Sequence, residues 1–207
     1  MSAPLIHADP AFEFVGGDPA LDLVNTVDWT DHGLVNERLP DYGALLAWAG
    51  AAGVLAATTA ERLRRAAAAH PREARRAHTG ALEARALLRA ALGGEARGQA
   101  QALSALNPLL GEALGHLELA PRARGTRRAA WTWRDMDRRL DAALWPVLRS
   151  AADLLASEEA DRIRTCGGPD CGWMYVDRSR NGLRRWCQMR TCGTREKSRR
   201  RRVAGAE

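Results

Sequence analysis

Every cysteine of this chain falls in one short stretch near its C-terminus. Cys166, Cys171, Cys187 and Cys192 read C-x4-C-x15-C-x4-C, and none precedes them. This constrains the fold more than any other feature, because two close pairs on a longer spacer can each clamp one edge of a tetrahedron. Four thiolates around Zn2+ make a closed, structural site with no open coordination position. The alternatives are two disulfides or four unrelated thiols. Met1 to Pro10 lacks the basic and apolar regions of a secretory leader, so a cytoplasmic location is expected, where disulfides are rare. Such close clustering argues against coincidence. One structural zinc on these four residues is therefore the expected cofactor.

Gly167-Gly168-Pro169 supplies a tight reversal inside the first pair. The spacer is expected to fold as a hairpin, with Trp173-Met174-Tyr175-Val176 as a strand and Asp177 to Gly182 as its turn. Cys187 and Cys192 are five apart, which on an α-helix is about 500°, or roughly 140° off a shared face. At least one of them must lie outside regular helix. The expected picture has Cys187 in an entering turn and Cys192 in or near the first turn of a helix running toward Arg202. Knuckle, hairpin and helix around one metal make a treble-clef-like finger. Its large apolar residues are few, so zinc should supply much of its folding free energy.

Charge changes at the same place. Residues 162–207 carry 13 basic and four acidic side chains, whereas residues 1–161 carry 18 and 21, so the overall net charge of +6 conceals a slightly acidic body and a strongly basic tail piece. The boundary between domains spanning 1–160 and 161–207 is placed there. In the basic piece Arg178, Arg180, Arg184, Arg185, Arg190, Arg195, Lys197, Arg199, Arg200 and Arg202 are candidate nucleic-acid contacts. Arg195, Arg199 and Arg202 share a helical face, with Arg195 and Arg199 as candidates for base edges. Arg185, beside Trp186, could equally brace the metal site, and the Arg199 to Arg202 run could be a solvated tail.

The body reads as mainly helical with one hairpin. Ala20 to Val27 has helical spacing after the Gly16-Gly17-Asp18-Pro19 turn. Asp41 can cap a helix through Leu45, Leu46 and Trp48, and Thr58 with Glu61 forms a capping-box pattern for the next. Pro71 opens another that ends at Gly93-Gly94. A fifth runs from Gln99 to Leu117, with an interruption expected at Asn107-Pro108. Leu117 and Leu119 alternate against Ala129, Trp131 and Trp133 as a β-hairpin. Met136 to Leu155 reads as a long helix, kinked or split at Pro146. Asp18, Asp22, Asn25 and Thr26 could line a ligand pocket or serve as caps. The uncharged stretch Ala44 to Ala60 is too short and too interrupted to span a membrane. The chain has no Walker loop, Rossmann fingerprint, G-x-S-x-G or H-E-x-x-H, and its five histidines pair with no nucleophile, so no enzymatic activity is expected.

Two runs of residues carry a resemblance. Cys166-x4-Cys171-Gly-Trp-Met-Tyr-Val-Asp177-Arg-Ser179-Arg-Asn181-x3-Arg185-Trp186-Cys187-x-Met189-x2-Cys192-Gly193-Thr194-Arg195-x-Lys197 resembles the CGNR-type zinc finger. Phe14-x-Gly16-Gly17-x2-Ala20-Leu21-Asp22-Leu23-Val24-Asn25-Thr26 resembles the opening of the ABATE domain, the usual N-terminal partner of that finger. The family's Cys-Gly-Asn-Arg is Cys192-Gly193-Thr194-Arg195 here, and Thr accepts left-handed backbone less readily than Asn. The resemblance implies a bacterial transcription regulator with an α/β N-terminal domain and a DNA-binding finger.

The expected fold class is α+β, a mainly helical N-terminal domain with a hairpin or small sheet plus a small treble-clef-like finger. The leading expectation for function is a DNA-binding transcription regulator whose body dimerises or senses an unidentified small-molecule effector. The alternative is an RNA- or protein-docking module without promoter specificity. A lone finger covers few base pairs, so the first reading implies a homodimer or a second contact.

Overall fold

A six-residue helix, α1 (Pro19–Val24), lies at the centre of the molecule. Asp18 caps it by accepting from the Ala20 N–H at 2.8 Å, and Pro19 occupies its first turn, where a missing N–H costs nothing. Ala20, Leu21, Leu23 and Val24 are all fully buried, so this helix is held by packing on every side rather than by its own length. The computed structural model describes residues 12–30, 32–94, 96–122 and 127–204, without the side chains of 200, 203 and 204. The expectations for Met1 to Pro10, for the tip of the long hairpin and for the Arg200 side chain lie outside the described residues.

Around α1 pack α4 (Pro71–Leu92) and α6 (Trp145–Leu155), with α5 (Ala96–Gly115) laid across both. The short helices α2 (Tyr42–Ala51) and α3 (Ala57–Ala69) close one flank. Asp41 caps α2 as expected, accepting from Ala44 N–H at 2.8 Å, and α4 opens on Pro71 and stops before Gly93. Three expectations need correction. Thr58 does not cap α3: Ala56 precedes the helix with no side-chain bond, and Glu61 instead pairs with Arg64 and Arg65 on the exposed face. Helix α5 runs unbroken through Pro108, because Ala102, Leu106 and Ala113 bury on both sides of it and hold the helical path. The helix expected from Met136 begins only at Trp145, after a 3₁₀ turn at Leu140–Leu144, which places Pro146 harmlessly in its first turn.

The long hairpin forms as expected, β3 (Leu117–Pro121) against β4 (Ala129–Trp133), with Leu117 opposite Trp133 and Leu119 opposite Trp131. Its inner end meets the core where Trp133 approaches Trp145. A second hairpin, β1 (Asp28–Thr30) with β2 (Gly33–Val35), was not expected. Its strands are three residues long and show no alternation, but Asp28 is buried and accepts from Asn36 and Arg38, which holds them together.

Past a 3₁₀ turn at Glu158–Arg162, β5 (Ile163–Thr165) pairs antiparallel with β6 (Met174–Val176). The partner of β6 therefore precedes the first cysteine, and no hairpin forms inside the spacer. The knuckle itself is the turn of this hairpin: the Cys166 N–H donates to the Trp173 carbonyl at 2.7 Å. The chain ends in α7 (Thr194–Ala204).

Candidate metal centre and its joint with the helical body

The four cysteine sulfurs lie within 4.8 Å of one another, and all four residues are buried. Cys187 Sγ is 3.7 Å from that of Cys171 and 3.6 Å from that of Cys192. Sulfurs at about 2.3 Å from a tetrahedral zinc are about 3.8 Å apart, so the cage has the size the ion requires. Two peptide N–H groups, of Gly168 at 3.4 Å and Cys187 at 3.2 Å, point at Cys166 Sγ, as expected for a thiolate. Donation from the Cys171 and Cys187 thiols pulls Cys166 down to about 7. The same contacts and burial push Cys171 and Cys187 up. Such a cage cannot carry four negative charges without a cation at its centre. A side chain at Gly168 would place its Cβ 3.0 Å from that of Cys192, so the close wrapping of the knuckle depends on glycine there.

The five-residue spacing of the second pair has a specific solution. Met189–Gly193 form one π-helical turn that runs directly into α7. The Gly193 N–H bonds back five residues to Gln188, and the Thr194 N–H to Met189. The wider turn brings Cys192 round toward Cys187, which an α-helix would not do. Thr194 has right-handed backbone, and its hydroxyl donates to the Met189 carbonyl at 3.0 Å, so left-handed geometry is not demanded where the family carries Asn.

Asp18, Asp22, Asn25 and Thr26 are each engaged within the fold. Asp18 caps α1 and accepts from Ser150 Oγ at 2.8 Å. Asp22 accepts from the Gly16 N–H at 2.8 Å. Thr26 donates to the Leu23 carbonyl and accepts from the buried Arg85. Asn25 reaches the finger: its amide donates to the Met174 carbonyl and accepts from the Met174 N–H, both at 2.8 Å, as a neighbouring strand would. The Gly16 carbonyl accepts from Val176 N–H at 2.8 Å on the same edge of β6. Further along, Trp29 N–H donates to the carbonyl of Cys171, itself a metal ligand, and Arg89 donates to the Gly172 carbonyl. Met174 and Val176 belong to the main hydrophobic core of the body. The two pieces share one core. Sequence reasoning missed this role; an asparagine directly after the apolar Leu23-Val24 was its only signal.

Burial raises Asp22 to about 6. A carboxyl whose folded value is raised binds its proton more tightly in the native state, so its contribution to stability falls as pH rises from about 4 through 6. Asp22→Asn removes this loss. Its stability relative to wild type should improve by about 1.4 kcal/mol between pH 5 and pH 7.5, whatever constant penalty the amide carries. Urea melts of both zinc-loaded proteins across that range check it; a pH-independent difference contradicts it.

The basic side chains divide into two groups. Arg184 is structural: it lies over the Tyr175 ring at 4.0 Å and donates to the carbonyls of Trp186, Cys187 and Val15. Arg178 is clamped by both oxygens of Glu159 and donates to the Gly17 carbonyl at 2.9 Å, bridging finger and body. Arg180, Arg185, Arg190, Lys197, Arg199 and Arg202 are exposed, and Arg195 is half-buried. Arg185 covers the Trp186 ring at 5.2 Å, Arg190 reaches Gln188 and Glu13, and Arg199 is bidentate to Glu196 at 2.9 Å. Two acidic residues of the finger, Asp177 and Glu196, are buried. No described helix is long and apolar enough to cross a membrane.

A helical body locked to a buried four-cysteine centre defines a structural zinc-finger protein, and the chain holds one structural zinc. A family model described as "Putative stress-induced transcription regulator", ABATE, matches residues 17–158, and the model described as "CGNR zinc finger" matches residues 162–203. The chain belongs to the ABATE family and carries a CGNR zinc finger; neither description is that of an enzyme. Comparison with curated proteins gives no match.

Proposed function

We propose that this chain is a DNA-binding transcription regulator, with the zinc finger as its DNA-contacting part. The observation that carries the reading is the cationic face of the finger: exposed Arg180, Arg185, Arg190, Lys197, Arg199 and Arg202, with the half-buried Arg195, belong to a metal-fixed frame whose own Asp177 and Glu196 are buried, Glu196 against Arg199. Arg184, bonded to three backbone carbonyls, positions that face, while Arg178 on Glu159 and Arg199 on Glu196 are ion-paired yet still exposed on it. Asp18, Asp22, Asn25 and Thr26 act as the joint that fixes the finger on the body. The description of the ABATE family supports the regulatory role. An effector would enter the concavity of about 470 Å³ between α2, α4 and α5, walled by Leu45, Leu144 and Leu148 with Arg76 and Arg138 at its rim.

Binding to a labelled duplex tests this. About six phosphate contacts give a slope of log K against log salt near −5. Replacing Lys197 and Arg202 by Ala should weaken binding to all duplexes alike and reduce that slope by about 2. A slope near zero would refute the reading, and equal affinity for RNA of the same sequence would favour a docking module.

A further inference from the structure

Leu183 is 75% exposed and Met189 54%, and with Arg185 and Trp186 they line one concavity on the finger. Single exposed apolar residues are ordinary; this pair is distinguished by how it is held. The buried Asp177 carboxylate accepts from the N–H groups of Ser179 at 2.9 Å and Arg184 at 3.0 Å, closing the loop that carries Leu183. Hydrogen bonding to Ser179 lowers the Asp177 carboxyl below its ordinary range. The Leu183 N–H donates to Ser179 Oγ, and the Tyr175 hydroxyl donates to the Arg184 carbonyl at 2.7 Å. The backbone on both sides of Leu183 is thus fixed while its side chain stands in solvent. Met189 opens the π-turn that carries the ligand Cys192, so the metal steadies the other lip.

The surroundings select the occupant. Arg184 and the exposed Arg185 line the same concavity as these two apolar side chains, and the exposed Arg190 follows Met189 directly in the chain. Cations around an apolar projection complement a partner with an anionic surface and an apolar interior, which is the arrangement of phosphates and stacked bases. Arg185 lies over the Trp186 ring, Met189 packs across Gly193, and Leu183 is the most exposed apolar side chain of the concavity. We propose that Leu183, assisted by Met189, is an apolar wedge that enters the minor groove of duplex DNA and unstacks a base step, kinking the duplex. This rests on the duplex-binding reading above and adds a mechanism of shape-dependent recognition to it.

The probe is a 30-base-pair duplex, end-labelled with a donor and an acceptor dye, with or without one central T·T mismatch that is already partly unstacked. The zinc-loaded full chain should bind the mismatched duplex about tenfold more tightly and shorten the dye separation. Leu183→Ala should bind both duplexes equally while keeping the wild-type salt slope, and Leu183→Phe should restore the preference. Retention of the preference by Leu183→Ala overturns the wedge, as does equal wild-type binding with a steep salt slope, which leaves the duplex-binding reading standing and the apolar pair free for a protein partner. Failure of the wild type to bind either duplex removes both.

Discussion

Removing the zinc, by chelation or by Cys187→Ser, is expected to weaken the helical body as well as the finger. If the two pieces were beads on a string, the helical signal would melt unchanged. They are not, because Met174 and Val176 of β6 sit in the body's core, and Asn25, Gly16 and Trp29 bond to the backbone of the finger. Structural zinc contributes about 10 kcal/mol or more to folding of comparable fingers. The finger has few apolar residues to replace it, so β6 loses its place when the metal goes. Exposing Met174 and Val176 alone costs about 2 kcal/mol each. For a chain of this size 1 kcal/mol shifts the midpoint by about 2–4 °C. Thermal melting followed by circular dichroism should therefore drop by about 10 °C or more in the helical signal. An unchanged helical midpoint would contradict the shared core.

Asn25→Leu should be nearly as damaging, although no metal ligand is touched. The substitution preserves size but leaves the Met174 N–H and C=O without partners at a position only 2% exposed. Each stranded group costs about 1–3 kcal/mol, so a loss of about 3–4 kcal/mol in urea unfolding is expected, with zinc stoichiometry still one per chain. Gly172→Ala tests the same joint from the other side. Gly172 has φ +62°, and an added Cβ would sit 2.0 Å from the Trp29 carbonyl oxygen, so β1 must move away. A cost of about 3 kcal/mol is expected from strain and overpacking together. Loss below about 1 kcal/mol in both variants would mean that the joint contributes little.

Features written in side chains were legible in the sequence: the four cysteines, the caps Asp18 and Asp41, Pro71 and Gly93 at the ends of α4, and the alternation of β3 and β4. The five-residue spacing of Cys187 and Cys192 excluded a shared α-helical face, and the π-turn is how the chain meets that condition. What was not legible is made mainly of backbone. The pairing of β5 with β6, the Gly16–Val176 bond and the Trp29–Cys171 bond use N–H and C=O groups that every residue carries. Asn25, Gly172 and the arginines Arg89, Arg178 and Arg184 have residue-specific reasons at the joint, and none of them announces its distant partner on the other side of the chain. The arginines show the same division. Their abundance pointed to a polyanion, but only tertiary contacts mark out Arg178 and Arg184 as the ones that also tie the finger to the body.

Selection from a pool of random duplex DNA with the zinc-loaded full chain tests the proposed function most directly. Enrichment of a defined motif, lost when the zinc is removed, is the expected result. A pool that stays random after repeated rounds, with RNA competing as effectively as duplex DNA, would contradict it.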